Sequence, residues 1–209
     1  MCRLLLYLHL FDHQLIPVRL TDERQSQITF WPNWLDGERA DRLVSQSIND
    51  IDWRSDVIRI VGKTIPIPRL QQWFGNPETS YTYSNIRLQA VAFPCWIDQL
   101  REQIEIQSGE RFNRALVNYY RDGSDSVDWH ADDEAELGFE PLVASLSLGA
   151  ERVFQLRHNL TKERLDIALP HGSLLLMGAG IQTYWQHRIA KTKKVDKPRV
   201  NFTFRYMAE

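Results

Sequence analysis

Arg199-Val200-Asn201-Phe202-Thr203-Phe204-Arg205-Tyr206 alternates strictly, with apolar side chains at the even positions and Arg199, Asn201, Thr203 and Arg205 at the odd ones. A strand repeats every two residues, so this stretch reads as a β-strand with one apolar face and one face carrying two guanidiniums and two small polar groups. Facing solvent, the polar side needs no explanation. Lining a cavity, it is built for a small anion, because paired guanidiniums suit carboxylates. The strand alone leaves both readings open.

Upstream of it the texture is the same back to about residue 114. Short β-type runs occupy 115–120, 142–148, 152–156, 165–169, 173–177 and 183–187, separated by turn-forming or charged segments. With 200–206 they make seven strands with no helix between them, which suggests antiparallel sheets in a sandwich or barrel. The first half is mixed. Asp36 precedes an amphipathic run through Leu43, Val44 and Ile48 and reads as a helix cap. Pro94 opens a second helix with Ile97, Leu100 and Ile104 on one stripe. Pro66, Pro68, Gly75 and Pro77 punctuate short extended pieces between the two helices. The fold class expected is α+β, mainly β, with the helices packed outside the β core. No repeat, low-complexity tract or linker divides the chain, so residues 1–209 are expected to form a single domain. Its parts would be an N-terminal extension (1–27), a helical region with loops (28–113) and the β core (114–207).

The 209 residues are 43% hydrophobic and 25% charged, with 25 Lys+Arg against 27 Asp+Glu. That composition excludes a disordered chain, a collagen and a disulfide scaffold. Cys2 and Cys95 have no metal-ligand spacing, so free thiols in a reducing, cytoplasmic setting are expected, nuclear in a eukaryote. The apolar stretch 4–11 is interrupted by His9 and too short to span a bilayer, and no small-residue cleavage site follows it. No membrane association is expected.

His130-Ala131-Asp132 places an imidazole and a carboxylate on the same side of an extended segment. With a second histidine the set would become a facial triad leaving open positions on Fe(II). His187, 55 positions after Asp132, is the best candidate. His-x-Asp by itself is equally a surface pair. His9, His13, His158 and His171 sit in turns or unassigned segments and read as structural histidines.

The combination is more specific. Asn118-Tyr119-Tyr120-Arg121-Asp122-Gly123, His130-Ala131-Asp132-Asp133-Glu134, Ser145-Leu146-Ser147-Leu148-Gly149, His171-Gly172-Ser173-Leu174, His187 and Pro198 to Arg205 follow one another in this order. Together with Pro68-Arg69 and Tyr81-Thr82-Tyr83-Ser84, they make the chain from about Phe30 to Tyr206 resemble the Fe(II)- and 2-oxoglutarate-dependent dioxygenases of the AlkB branch. The resemblance implies a double-stranded β-helix (jelly-roll) core, with a nucleotide-recognition region inside 28–113. It implies iron bound by His130, Asp132 and His187. It also implies 2-oxoglutarate paired with Arg199 in a pocket completed by Asn118, Tyr120, Asn201, Thr203 and Arg205. The reaction implied consumes O2, converts 2-oxoglutarate to succinate and CO2, hydroxylates a methyl group on a base nitrogen and releases formaldehyde.

The substrate implied is alkylated DNA carrying 1-methyladenine or 3-methylcytosine, repaired by a monomer. A base in a duplex cannot reach such a pocket, so the strand must be single or the base flipped out. Tyr81 and Tyr83 are suited to stacking on the base, with Arg69 supporting it or a phosphate. Asp133 and Glu134 would favour its positive charge. The basic run from Arg188 to Lys197 is either a solvated loop or a grip on the nucleic-acid backbone. Duplex-repair members of the branch carry a bulky aromatic on a hairpin; here the matching Ile60-Val61-Gly62-Lys63 is aliphatic, which can still act as a wedge. Methylated RNA with the same chemistry is the alternative substrate, and a protein side chain a weaker one. The acidic block supplies a last pointer: eight Asp/Glu and no Lys or Arg lie between 122 and 140, leaving the rest of the chain 25 basic against 19 acidic residues.

Overall fold

The computed structural model describes residues 13–60, 63–78, 80–83 and 86–208. In chain order they form β1 (Gln14–Arg19), β2 (Gln25–Trp31), helix α1 (Gly37–Asp50), β3 (Val57–Ile60), β4 (Lys63–Pro66), β5 (Leu70–Phe74), β6 (Ser80–Tyr83), β7 (Ile86–Gln89) and helix α2 (Cys95–Ser108). Then come β8 (Arg114–Tyr120), β9 (Val127–His130), β10 (Val143–Gly149), β11 (Arg152–His158), β12 (Arg164–Leu169), β13 (Ser173–Met177), the short helix α3 (Ile181–Tyr184), β14 (Trp185–Ile189) and β15 (Arg199–Arg205).

Two antiparallel sheets make the core. The larger has the order β1-β2-β13-β10-β15-β8-β5 and the smaller β12-β11-β14-β9. This is the mainly β jelly roll expected. β15 lies at the centre of the large sheet, paired with β10 on one side and β8 on the other. Its even residues Val200, Phe202 and Phe204 join Ala115, Val117, Leu146 and Leu148 in a core closed by Ala40 and Leu43 of α1 and Ile97, Leu100 and Ile104 of α2. The opposite face of the sheet looks at the small sheet, where Val143, Leu175 and Met177 meet Phe154, Leu156, Ile167, Trp185 and Ile189. Every residue of β15 is therefore buried. Its polar face is turned to the interior rather than to solvent.

Both helices start as expected. Asp36 Oδ1 accepts the backbone N–H of Arg39 at 2.8 Å, and Pro94 caps α2, which ends on Gly109 in the left-handed region. Among the described residues no helix is long and apolar enough to cross a membrane.

Three local expectations are corrected. The strand expected over 183–187 begins only at Trp185. Gly180 turns the chain with φ +82°, and the amides of Thr183 and Tyr184 bond back to its carbonyl, so Ile181–Tyr184 is helical. The stretch expected as an N-terminal extension reaches the core: β1 and β2 extend the large sheet, because β2 pairs with β13 over Ile28–Trp31. The β core is also not confined to the second half, since β5 pairs with β8 and closes the other edge.

One contact governs the loop that follows the β8 strand. Gly123 N–H donates to Val195 O and its carbonyl accepts from Thr192 N–H, both at 2.8 Å. A Cβ there would lie 2.3 Å from Thr192 O and 2.6 Å from Val195 O. Gly123→Ala is therefore expected to lower the unfolding free energy by about 1–3 kcal/mol through overpacking, read from the urea midpoint.

Candidate metal and cosubstrate site

The polar face of β15 and the facing ends of β9 and β14 enclose one cavity, whose charged lining is Arg69, Asp132, Arg199 and Arg205, with His130 and His187 beside them. His130 ends β9 and stands opposite His187 in the β9–β14 pairing. The two rings are 4.2 Å apart between centroids, and His187 Nε2 is 4.0 Å from Asp132 Oδ2. One potential ligand atom from each of the three residues lies within 4.8 Å of the others.

Asp132 lies beyond the end of β9, so strand geometry does not aim it. Its backbone N–H donates to Gln182 Oε1 at 3.0 Å, and its Oδ1 accepts from Arg205 Nη2 at 2.6 Å. Gln182 is placed by α3, the element that replaced the expected strand. No sequence signal marked it, because a four-residue helix carries no period.

Burial drives both imidazoles toward the neutral form. His187 falls to about 3, with His130 adding to the effect, and His130 is lowered as well. With His187 neutral, its approach to Asp132 is not an ion pair but two donors facing one space. Burial is the largest influence on the Asp132 carboxyl and would raise it; Arg205, His187 and His130 together outweigh it and hold the group below the usual carboxylate range. Two neutral nitrogens and an ionised oxygen are the donor set that suits a divalent iron with coordination positions left open.

The cosubstrate side is equally specific. Arg199 is 2% exposed; its Nη2 donates to Ser147 Oγ at 2.9 Å and its guanidinium lies 5.1 Å from the Tyr120 ring centroid. Its Nε and Nη1 are buried without a hydrogen-bond acceptor. Burial lowers its pKa to about 10, which leaves it charged at neutral pH. Unpartnered buried donors on a cation are costly, and a carboxylate is the acceptor that fits them.

The neighbouring polar groups are already engaged. Asn201 Nδ2 donates to Ser145 Oγ and Leu146 O, both at 2.9 Å, and Thr203 Oγ1 donates to Asn201 Oδ1 at 3.1 Å. Asn118 Oδ1 accepts from Arg69 Nε at 2.8 Å. Ser145 and Ser147, whose alternation with leucines was visible, pair in register with Thr203 and Asn201. Arg152 went unnoticed in the sequence. It is 3% exposed and donates to the carbonyls of Asp122, Asp125 and Ala190, tying the Gly123 loop to the end of β14.

On the substrate side, Arg69 lines the cavity and also donates to Ser126 O at 3.3 Å. Tyr81 and Tyr83 lie in the β6–β7 hairpin opposite Leu88 and Ile86. Their side chains, and that of Ile60 at the end of β3, lie outside the described residues, as do Val61 and Gly62 altogether. Asp133 is exposed and Glu134 half-buried, and neither lines the cavity. Of the basic run, Arg188 belongs to β14, while 192–195 is clasped to Gly123.

Comparison with known proteins agrees with this geometry. The family model described as the 2OG-Fe(II) oxygenase superfamily matches residues 27–205. The "Alpha-ketoglutarate-dependent dioxygenase alkB homolog 3" of Mus musculus is 38% identical over 200 residues, covering 90% of this chain and 68% of its own length. The "DNA oxidative demethylase ALKBH2" of Bos taurus is 36% identical over 177 residues, covering 79% of this chain and 64% of its own. The solved structure of OsALKBH1 shares the fold with a TM-score of 0.61 at 17% identity, over 85% of this chain and 96% of that one. Matched from β2 to the last strand, the chain belongs to the 2OG-Fe(II) oxygenase superfamily and, within it, to the AlkB-like dioxygenases.

Proposed function

We propose that this protein is an oxidative demethylase of alkylated bases in DNA, acting as a monomer on a single strand or on a flipped-out base. The observation that carries the reading is the buried Arg199, with two N–H donors lacking acceptors, in the same cavity as the His130, Asp132 and His187 donor set. The relative named a DNA oxidative demethylase supports the substrate class.

In this reading His130, Asp132 and His187 hold the iron, and Arg199 takes the distal carboxylate of 2-oxoglutarate. Arg205 fixes the orientation of the Asp132 carboxylate, and Asn118, Tyr120, Asn201 and Thr203 shape the pocket wall. When bound, Fe(II) and 2-oxoglutarate supply with O2 the oxidation of the N-methyl carbon, which leaves as formaldehyde while 2-oxoglutarate becomes succinate and CO2. The protein's own contribution is positioning. The neutral imidazoles present lone pairs, Phe154 packs 5.1 Å from the His187 ring, and the apolar walls Leu116, Val127 and Ile189 exclude water from the cavity. Tyr81, Tyr83 and Arg69 receive the base, with Asp133 and Glu134 at the approach to the cavity and Ile60, Val61 and Gly62 as the wedge. Lys191, Lys193, Lys194 and Lys197 hold the phosphate backbone through contacts independent of sequence.

Protein supplied with Fe(II), ascorbate and 2-oxoglutarate is expected to remove the mass of CH2 from a single-stranded DNA oligonucleotide containing 1-methyladenine, read by mass spectrometry. No loss where a control demethylase works overturns the proposal, and loss confined to parallel RNA arms moves the substrate to RNA. Arg199→Gln is expected to raise the KM for 2-oxoglutarate roughly tenfold to a hundredfold, the worth of a charge-assisted pair. His187→Ala is expected to abolish turnover while the circular dichroism spectrum stays native; wild-type turnover would reject the iron assignment.

A further inference from the structure

His130 and His187 are held in different ways. His187 lies inside β14, which has a neighbour on each side, whereas His130 ends β9, a four-residue strand at the edge of the small sheet. The β9–β14 pairing is also irregular. His187 faces His130 and Ile189 faces Val127, so both Asp128 and Trp129 stand opposite the single residue Arg188. This extra residue is a β-bulge, a device that re-aims a side chain next to an active site.

Two contacts fix the bulge. On the outer face of the sheet two guanidiniums lie over the Trp129 ring, Arg157 from β11 at 4.3 Å from its centroid and Arg188 from β14 at 4.4 Å. Each arginine is steadied by a glutamine on the adjacent strand: Arg157 Nη2 donates to Gln186 Oε1 at 3.1 Å, and Arg188 Nε to Gln155 Oε1 at 2.8 Å. On the inner side, His130 Nδ1 is 2.8 Å from Asp128 O. A carbonyl only accepts, so Nδ1 carries the proton and Nε2 bears the in-plane lone pair.

We propose that Trp129, clamped by Arg157 and Arg188, is a positioning residue for the metal site: it holds the bulge whose Asp128 carbonyl fixes the tautomer and direction of His130. Stacking of two guanidiniums on one indole is an attractive arrangement, and here it replaces the second neighbouring strand that β9 lacks. Loss of an outer partner that orients a metal-binding histidine typically weakens metal affinity ten- to a hundredfold. The inference rests on the assignment of His130 as an iron ligand.

The test uses the full chain, labelled with 15N-histidine, and Co(II) as the metal probe. In the metal-free wild type the His130 ring nitrogens are expected to show a single Nδ1–H tautomer. Trp129→Ala is expected to give a mixed tautomer signal and to raise the Co(II) Kd about tenfold. Trp129→Phe, which keeps an aromatic face for the arginines, is expected to recover most of that loss. A Trp129→Ala protein that lowers the melting temperature but keeps the wild-type Kd and tautomer overturns the proposal. Should that variant not fold, the Arg157→Gln/Arg188→Gln double variant decides: an unchanged Kd and ring signal overturns the clamp, and a raised Kd with mixed tautomers supports it. His130→Ala separates the two levels, because wild-type Co(II) affinity in that variant removes the ligand assignment itself, and the clamp's role with it.

Discussion

Asp132 and Arg205 face one another at 2.6 Å with 1% and 2% exposure. Each charge alone would be costly so far from water, and breaking a buried pair by removing one member typically costs 3–5 kcal/mol, because the other charge is stranded. Arg205 stands on the large sheet and Asp132 on the loop leaving the small one. Their contact therefore joins the two halves of the sandwich across the cavity, and it orients the carboxylate on which the donor set depends. The positions of β15, of the loop after β9 and of α3, whose Gln182 holds the Asp132 amide, are all constrained by it.

The rest of the cavity is out of charge balance. Its lining carries three guanidiniums against one carboxylate, and burial keeps both imidazoles neutral. Such an interior favours a small dianion strongly. Apart from Asp132, the acidic block between 122 and 140 does not correct the imbalance from within. Asp125 is bound bidentately by Arg121, Glu140 by Arg24, and Asp133 and Glu134 lie outside the cavity lining. On the proposed function, a cationic base would meet the charges of Asp133 and Glu134 outside the cavity lining.

The last strand and the histidines were legible because period-two alternation and residue order survive in the linear sequence. The same alternation left the destination of the polar face open, since a strand cannot report whether its second side meets water or another sheet. Gln182, Arg152 and Trp129 were not legible for a related reason. Gln182 acts from a turn set by Gly180, Arg152 through three backbone carbonyls spread over 68 residues of chain (Asp122 to Ala190), and Trp129 through arginines on two other strands. Their partners are defined only by tertiary pairing. The strand expected at 183–187 failed on the same local fact: a left-handed glycine outweighed the β-forming character of Thr183 and Tyr184.

The division of labour within the fold follows from which strands are tied down. β15 has no solvent face: helices cover one side, and on the other Arg199 and Asn201 bond to β10, Thr203 to Asn201 and Arg205 to Asp132. Those donors and acceptors are fixed before any ligand arrives, so binding the cosubstrate requires little reordering of side chains. Among the described residues the β3–β4 and β6–β7 hairpins, by contrast, pair only within themselves and join neither sheet. A two-stranded ribbon is marginal by itself and takes much of its order from what it packs against. In the proposed function, chemistry thus falls to a strand held on both faces and substrate selection to the hairpins outside the two sheets. On that proposal, changes in the hairpins would redirect the substrate without disturbing Asp132, Arg205 or Arg199.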